Sequence, residues 1–113
     1  MTRVRLPERR AAETIALDYD GTCFMVTIGF YPDGRPAEVF THGARSGSNI
    51  DALLADSCVL ISCLIQHGAE PSELAGSMGR LGNAGPASII GAIVDLVAGT
   101  GIVRQTNAAE AGT

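Results

Sequence analysis

Between Thr22 and Tyr31 the chain alternates: Phe24, Val26, Ile28 and Phe30 point one way, and Cys23, Met25, Thr27, Gly29 and Tyr31 the other. A period of two over this length predicts a strand with one strongly apolar face. The strand runs into Pro32-Asp33-Gly34-Arg35, where proline presets a turn and glycine supplies a positive φ, and out again through Ala37-Glu38-Val39-Phe40-Thr41. Glu38 falls on the outward side of this second strand. Glu13 to Tyr19, with Ile15, Leu17 and Tyr19 in alternation, supplies a third strand, which matters because two strands alone are seldom stable in water.

After Gly43-Ala44-Arg45-Ser46-Gly47 the period changes. Ile50, Leu53, Leu54, Ser57, Cys58, Ile61, Leu64 and Ile65 recur at helical spacing, opened by Ser48 or Asn49 as N-cap and closed by Gly68. The second half of this helix, Cys58 to Ile65, is apolar on nearly every side, so more than a sheet is needed to cover it. Pro71 then starts a short helix ending near Met78-Gly79, with Glu70, Ser72 and Glu73 near its positive end. Gly79 to Gly85 reads as a loop. Pro86 opens a third helix through Ile89, Ile90, Ile93, Val94, Leu96 and Val97, with Gly99 as its stop. Strands in a run followed by helices in a run define the α+β class: a three-stranded antiparallel meander followed by three helices packed on one face, βββααα.

The ends lack any sustained period, so residues 1–12 are expected to form a flexible N-terminal arm, residues 13–103 a single domain and residues 104–113 a flexible tail. A chain of 113 residues with 46% hydrophobic and 18% charged residues has material for one core and too little charge for disorder. With 4% aromatics and no Trp, that core must be aliphatic. All eight basic residues are Arg, outnumbered by twelve acids for a net charge of −4, which disfavours general nucleic-acid affinity. Four of the arginines, Arg3, Arg5, Arg9 and Arg10, crowd the first ten residues and read as a frayed basic terminus. Three cysteines without a CxxC pair argue against a secreted disulfide framework and a structural zinc site, and point to a reducing compartment. No apolar run approaches the roughly 20 residues of a membrane span, and no signal-peptide stretch opens the chain, so a soluble cytoplasmic protein without a membrane partner is expected.

Candidate chemistry is sparse. The strand-to-helix junction Gly43-Ala44-Arg45-Ser46-Gly47-Ser48-Asn49 lets backbone amides converge at a positive helix end, with Arg45 as a charged donor and Ser46 or Ser48 as hydroxyls. Gly43, Arg45, Ser46, Gly47 and Ser48 are therefore the candidate ligand- or anion-binding set. A well-capped tight turn needs the same residues, and the stretch matches neither the Walker pattern nor a dinucleotide fingerprint. His67 has a sufficient role at a helix C-terminus. Cys58 and Cys63, five apart on one helix, diverge and read as small core residues. Asp56 and Asp95, flanked by apolar residues, invite a search for an Arg partner. The weak catalytic candidates are Cys23 and His42: strand pairing about the Asp33-Gly34 turn puts residue 23 about opposite residue 44. No metal-ligand set and no cofactor motif is present.

Gly21-Thr22-Cys23, the run Tyr31-Pro32-Asp33-Gly34-Arg35-Pro36-Ala37-Glu38-Val39-Phe40, the Gly43 to Ser48 loop and the helix ending Gln66-His67-Gly68 together resemble the TSCPD domain. That domain occurs at the C-terminus of cobalamin-dependent (class II) ribonucleotide reductases and as small stand-alone proteins. The resemblance covers roughly residues 14–98, and the hairpin is its most specific part. Reductase-linked members tend to carry a cysteine in the turn after the second helix, where this chain has Met78-Gly79-Arg80-Leu81-Gly82-Asn83-Ala84-Gly85. The resemblance implies a stand-alone accessory or binding module, non-catalytic by itself, tied to ribonucleotide reductase or nucleotide metabolism. A larger protein partner such as a ribonucleotide reductase, and a nucleotide or nucleic-acid ligand, follow from the same resemblance, while helix surfaces too apolar for a monomer point separately to a homo-oligomer, a dimer being favoured. The alternative is a small thiol-dependent enzyme or redox protein using Cys23 with His42.

Overall fold

The computed structural model describes residues 2–42 and 49–111, and the side chains of these up to residue 100. The elements run β1 (Ala12–Tyr19), β2 (Thr22–Phe30), β3 (Pro36–His42), α1 (Asn49–Gln66), α2 (Pro71–Ser77) and α3 (Ile89–Ala111). The strands form one antiparallel sheet in the order β1-β2-β3. This is the expected α+β arrangement.

The β1–β2 connection is a two-residue hairpin in which Asp20 (φ 49°) and Gly21 (φ 76°) both take the left-handed region. That conformation matches the twist of the flanking strands and favours Asp-Gly. In the β2–β3 turn Gly34 has φ 90°, and the Asp33 carboxylate accepts the Arg35 amide at 3.0 Å. A bulge at Gly29/Phe30 offsets the ladder, so Phe30 faces Pro36 rather than Ala37.

Val26, Ile28, Phe30 and Val39 form the sheet side of the core, and Leu54, Cys58, Ile61 and Ile65 of α1 with Ile93, Val94 and Val97 of α3 cover it. Both helices therefore lie on one face. α1 closes in a Schellman geometry: the Ala69 amide donates to Leu64 O at 2.9 Å and the Gly68 amide to Ile65 O at 3.0 Å, with Gly68 at φ 106°.

α3 differs from its expected bounds at both ends. Pro86 pairs as an isolated bridge with Arg80, and the cap is Ser88, whose hydroxyl accepts the Gly91 amide at 3.1 Å. At the other end the helix runs through Gly99 to Ala111. A glycine inside a helix costs about 1 kcal/mol relative to alanine, which weakens a helix without ending it.

β3 is an edge strand, and α1 closes that edge with side chains. The odd residues of β3 turn their backbone groups away from β2. Val39 donates its amide to Ser62 Oγ at 2.9 Å while the Ser62 hydroxyl reaches Val39 O at 3.3 Å, and Gln66 Nε2 donates to Ala37 O at 3.0 Å. One helical turn before Ser62, Cys58 Sγ meets the Thr41 side chain and backbone. Cys58, Ser62 and Gln66 thus form an i, i+4, i+8 row that stands in for a fourth strand.

The segment before β1 has no regular element but is bonded to the body. The Val4 amide donates to Gln66 O at 2.8 Å, Arg3 Nε to Gln66 Oε1 at 2.6 Å, the Tyr31 hydroxyl to Val4 O, and the Phe30 amide to Ala11 O at 2.9 Å.

Candidate functional site

Glu38 lies on the outward face of β3, as the alternation requires, yet it is only 8% exposed. Its side chain lies across Gly29, its partner on β2, and pairs with Arg10 of the N-terminal segment. A Cβ on Gly29 would come within 2.4 Å of the carboxylate, so the missing side chain is what lets Glu38 lie down. The N-terminal segment that crosses above this face is what buries Glu38.

Cys23 and His42 stand on this outward face. Cys23 is exposed and pairs in register with Asp18 of β1. His42 is opposite Met25, and its Nε2 lies 3.0 Å from Thr27 Oγ1, which is itself 2.8 Å from Thr14 Oγ1. A polar row therefore spans all three strands, and it draws the imidazole toward Thr27. The Cys23 thiol is pushed above its ordinary range, first by desolvation and then by the hydrogen bond and negative charge of Asp18. A nucleophilic thiol needs the opposite shift.

The remaining chemical side chains have architectural partners. His67 Nδ1 sits 2.7 Å from Cys63 O at the end of α1. Cys58 is buried in the edge-closing row, where burial raises its pKa and Thr41 partly offsets the rise. Asp95 has the Arg partner that its apolar flanks suggested: Arg80 grips both carboxylate oxygens at 2.6 Å and also donates to Ala75 O at 2.7 Å. That fork fixes the loop between α2 and α3. Asp56 is exposed. Among the described residues no group of three or more His, Cys, Asp or Glu could hold a metal ion.

Two concavities flank β3. One, of about 100 Å³, is lined by Tyr31, Arg35, Pro36, Ile65, Glu70 and Pro71. Its one arginine lies 5.0 Å from the Tyr31 ring centre and is paired with Asp33 at 2.6 Å. The other, of about 280 Å³, is a groove between β3 and α1 lined by Arg3, Phe40, Cys58, Val59, Cys63 and Gln66. The anion-binding set Gly43, Arg45, Ser46, Gly47 and Ser48 lies outside the described residues.

Sequence reasoning missed the roles of Ser62, Gln66 and Ser88. The first two were legible only as polar interruptions at i, i+4 on an otherwise apolar helix face.

These features define a small α+β module whose polar side chains mostly hold its own backbone. The chain matches the TSCPD domain over residues 3–100 and belongs to that family. A stretch of 66 residues, 58% of the chain, is 35% identical to a vitamin B12-dependent ribonucleotide reductase of Rhodopirellula baltica. The chain spans only 6% of that relative's length. No solved structure matches it.

Proposed function

We propose that this chain acts by binding, as an accessory module in the cytoplasm that associates with a ribonucleotide reductase, and that it catalyses no reaction of its own. The observation that carries the reading is the likeness of its folded unit to a small segment of a much larger reductase, a relation of appended module to enzyme. The engagement of His67, Cys58, Asp95 and Glu38 in structural contacts supports it, as does the raised pKa of Cys23.

The experiment is a titration of the purified chain into a purified cobalamin-dependent reductase from the same organism, read by calorimetry and by reductase turnover. Saturable binding at micromolar concentration or tighter is expected. Absence of heat and of any effect on turnover, with and without nucleotide, refutes the reading. The Gly43 to Ser48 loop is the proposed anion contact of the module. Titration with inorganic phosphate and with nucleotide should show weaker binding by Arg45→Ala than by the wild type, and equal binding removes the loop from the proposal.

A further inference from the structure

α1 has a second apolar stripe besides the one in the core. Ile50, Leu53, Leu60 and Leu64 are 66, 59, 64 and 49% exposed. With Ser57 they follow the spacing 3, 4, 3, 4, which is the a/d seam of two heptads. Drift from a straight seam over so short a run is about 40° at most, so all five stay on one side of the helix. The seam holds no charged residue.

The order along it is large, large, small, large, large, so the residue sizes, though not the spacing of 3, 4, 3, 4, are the same from either end. A two-fold axis requires a surface to be complementary to itself. Two copies of α1 laid antiparallel about Ser57 set Ile50 level with Leu64 of the second copy and Leu53 within one residue's rise, about 1.5 Å, of Leu60 of the second copy, with the two serines on the axis. A small residue there lets the helices close. Ser57 suits a dry seam because its hydroxyl already donates to Leu53 O at 2.8 Å, so covering it strands no donor.

The area suits a reversible dimer. At roughly 100 Å² of apolar surface per large aliphatic side chain, these exposures leave about 240 Å² per copy and twice that in a pair. With a polar rim of ordinary proportion the whole contact comes to roughly 700–800 Å². That is below the roughly 1,000 Å² that a stable interface clears, so the pair is a weak, transient one.

We infer that the outer face of α1 is a homodimerisation seam, an antiparallel helix pair centred on Ser57, with dissociation in the micromolar range. The inference stands apart from reductase binding, because it is read from the isolated chain.

Sedimentation velocity from about 1 to 500 μM tests it. The wild type should pass from 11.6 kDa to twice that mass as concentration rises. Leu53→Glu and Leu60→Lys should each weaken dimerisation at least tenfold with unchanged far-UV circular dichroism, since both sites are exposed. The double variant L53E/L60K should recover most of the lost affinity, because only an antiparallel pair sets Glu against Lys, while a parallel pair sets like against like. A wild type monomeric throughout overturns the inference. So does a double variant no better than the singles. If the wild type is monomeric but Leu60→Lys abolishes reductase binding, the seam belongs to the larger partner and the second copy is rejected.

Discussion

Ser62→Ala tests the claim that α1 replaces a missing strand. Val39 is fully buried and Ser62 is 7% exposed, so water has no ready access to the groups between them. The Ser62 oxygen receives the Val39 amide at 2.9 Å and returns its hydroxyl to Val39 O at 3.3 Å. Removing it strands the Val39 amide and takes a long hydrogen bond from the Val39 carbonyl. A buried unsatisfied group costs about 1–3 kcal/mol. Because the carbonyl bond is long, its share is small, and the expected loss is about 2 kcal/mol. Against a total stability of ~5–15 kcal/mol this is a large fraction. It corresponds to a fall in Tm of about 8 °C, taking about 4 °C per kcal/mol for a domain near this size. Ser77→Ala is the control: its hydroxyl donates to Glu73 O at 3.0 Å on an exposed turn, and its loss should stay within about 0.5 kcal/mol. Urea unfolding followed by circular dichroism measures both variants. Hydrogen exchange at the Val39 amide then localises the effect. A Ser62→Ala loss no larger than the control's, with Val39 still protected, would refute the edge-closing role.

Gly29→Ala should destabilise by about 1 kcal/mol, because its Cβ drives the Glu38 side chain from its place and breaks the pair with Arg10; in a Glu38→Ala background the same substitution should cost less, and equal costs would dissociate the two residues. Asp95→Asn addresses the loop fork. Arg80, chiefly by hydrogen bonding, holds the Asp95 carboxyl below the usual carboxylate value, so the folded state binds that proton less readily than the unfolded chain. The pair therefore contributes fully above about pH 4 and is lost as pH falls through the depressed folded value. With both side chains about one-third exposed, the wild-type advantage should be under ~1 kcal/mol at neutral pH and close at lower pH; an advantage that grows with acid contradicts the assignment. Cys23 should react with iodoacetamide at pH 7 no faster than an unstructured thiol, and a rate well above that would restore Cys23 with His42 as a catalytic pair.

The strands were legible because alternation survives in a sequence whenever one face is buried and the other is not: Val26, Ile28 and Phe30 are all within 1% of full burial, while Met25 is 41% exposed. α1 was legible for the same reason at a different period, and its Gly68 stop is confirmed by the left-handed turn there. Gly99 looked like the same signal and was not, since what ends a helix is the backbone turning left-handed and its carbonyls finding partners, as at Ala69 and Gly68, and not the glycine itself. The start of α3 shows the complementary error. Pro86 is a permitted first helical residue, but the serine two positions later offers the amide a partner, and the helix begins there.

The candidate site was harder to read because residue type does not say where a hydrogen bond goes. Cys58, Ser62 and Gln66 are the residue types from which reactive sites are built, and on a helical wheel they form one line. Opposite that line is a strand edge whose backbone groups at Ala37, Val39 and Thr41 need partners, which no local pattern in residues 36–42 announces. The edge must be closed by something, since an open row of amides would recruit foreign strands. Closing it from α1 has a further consequence. A helix committed to β3 through Ser62 and Gln66 cannot rotate about its axis without breaking those bonds, so the opposite flank, with Leu53 and Leu60, is held at a fixed angle to the sheet. The polar row and the outer apolar stripe are thus coupled through one rigid helix. A substitution that loosens the row should weaken recognition at the stripe although it touches no residue there.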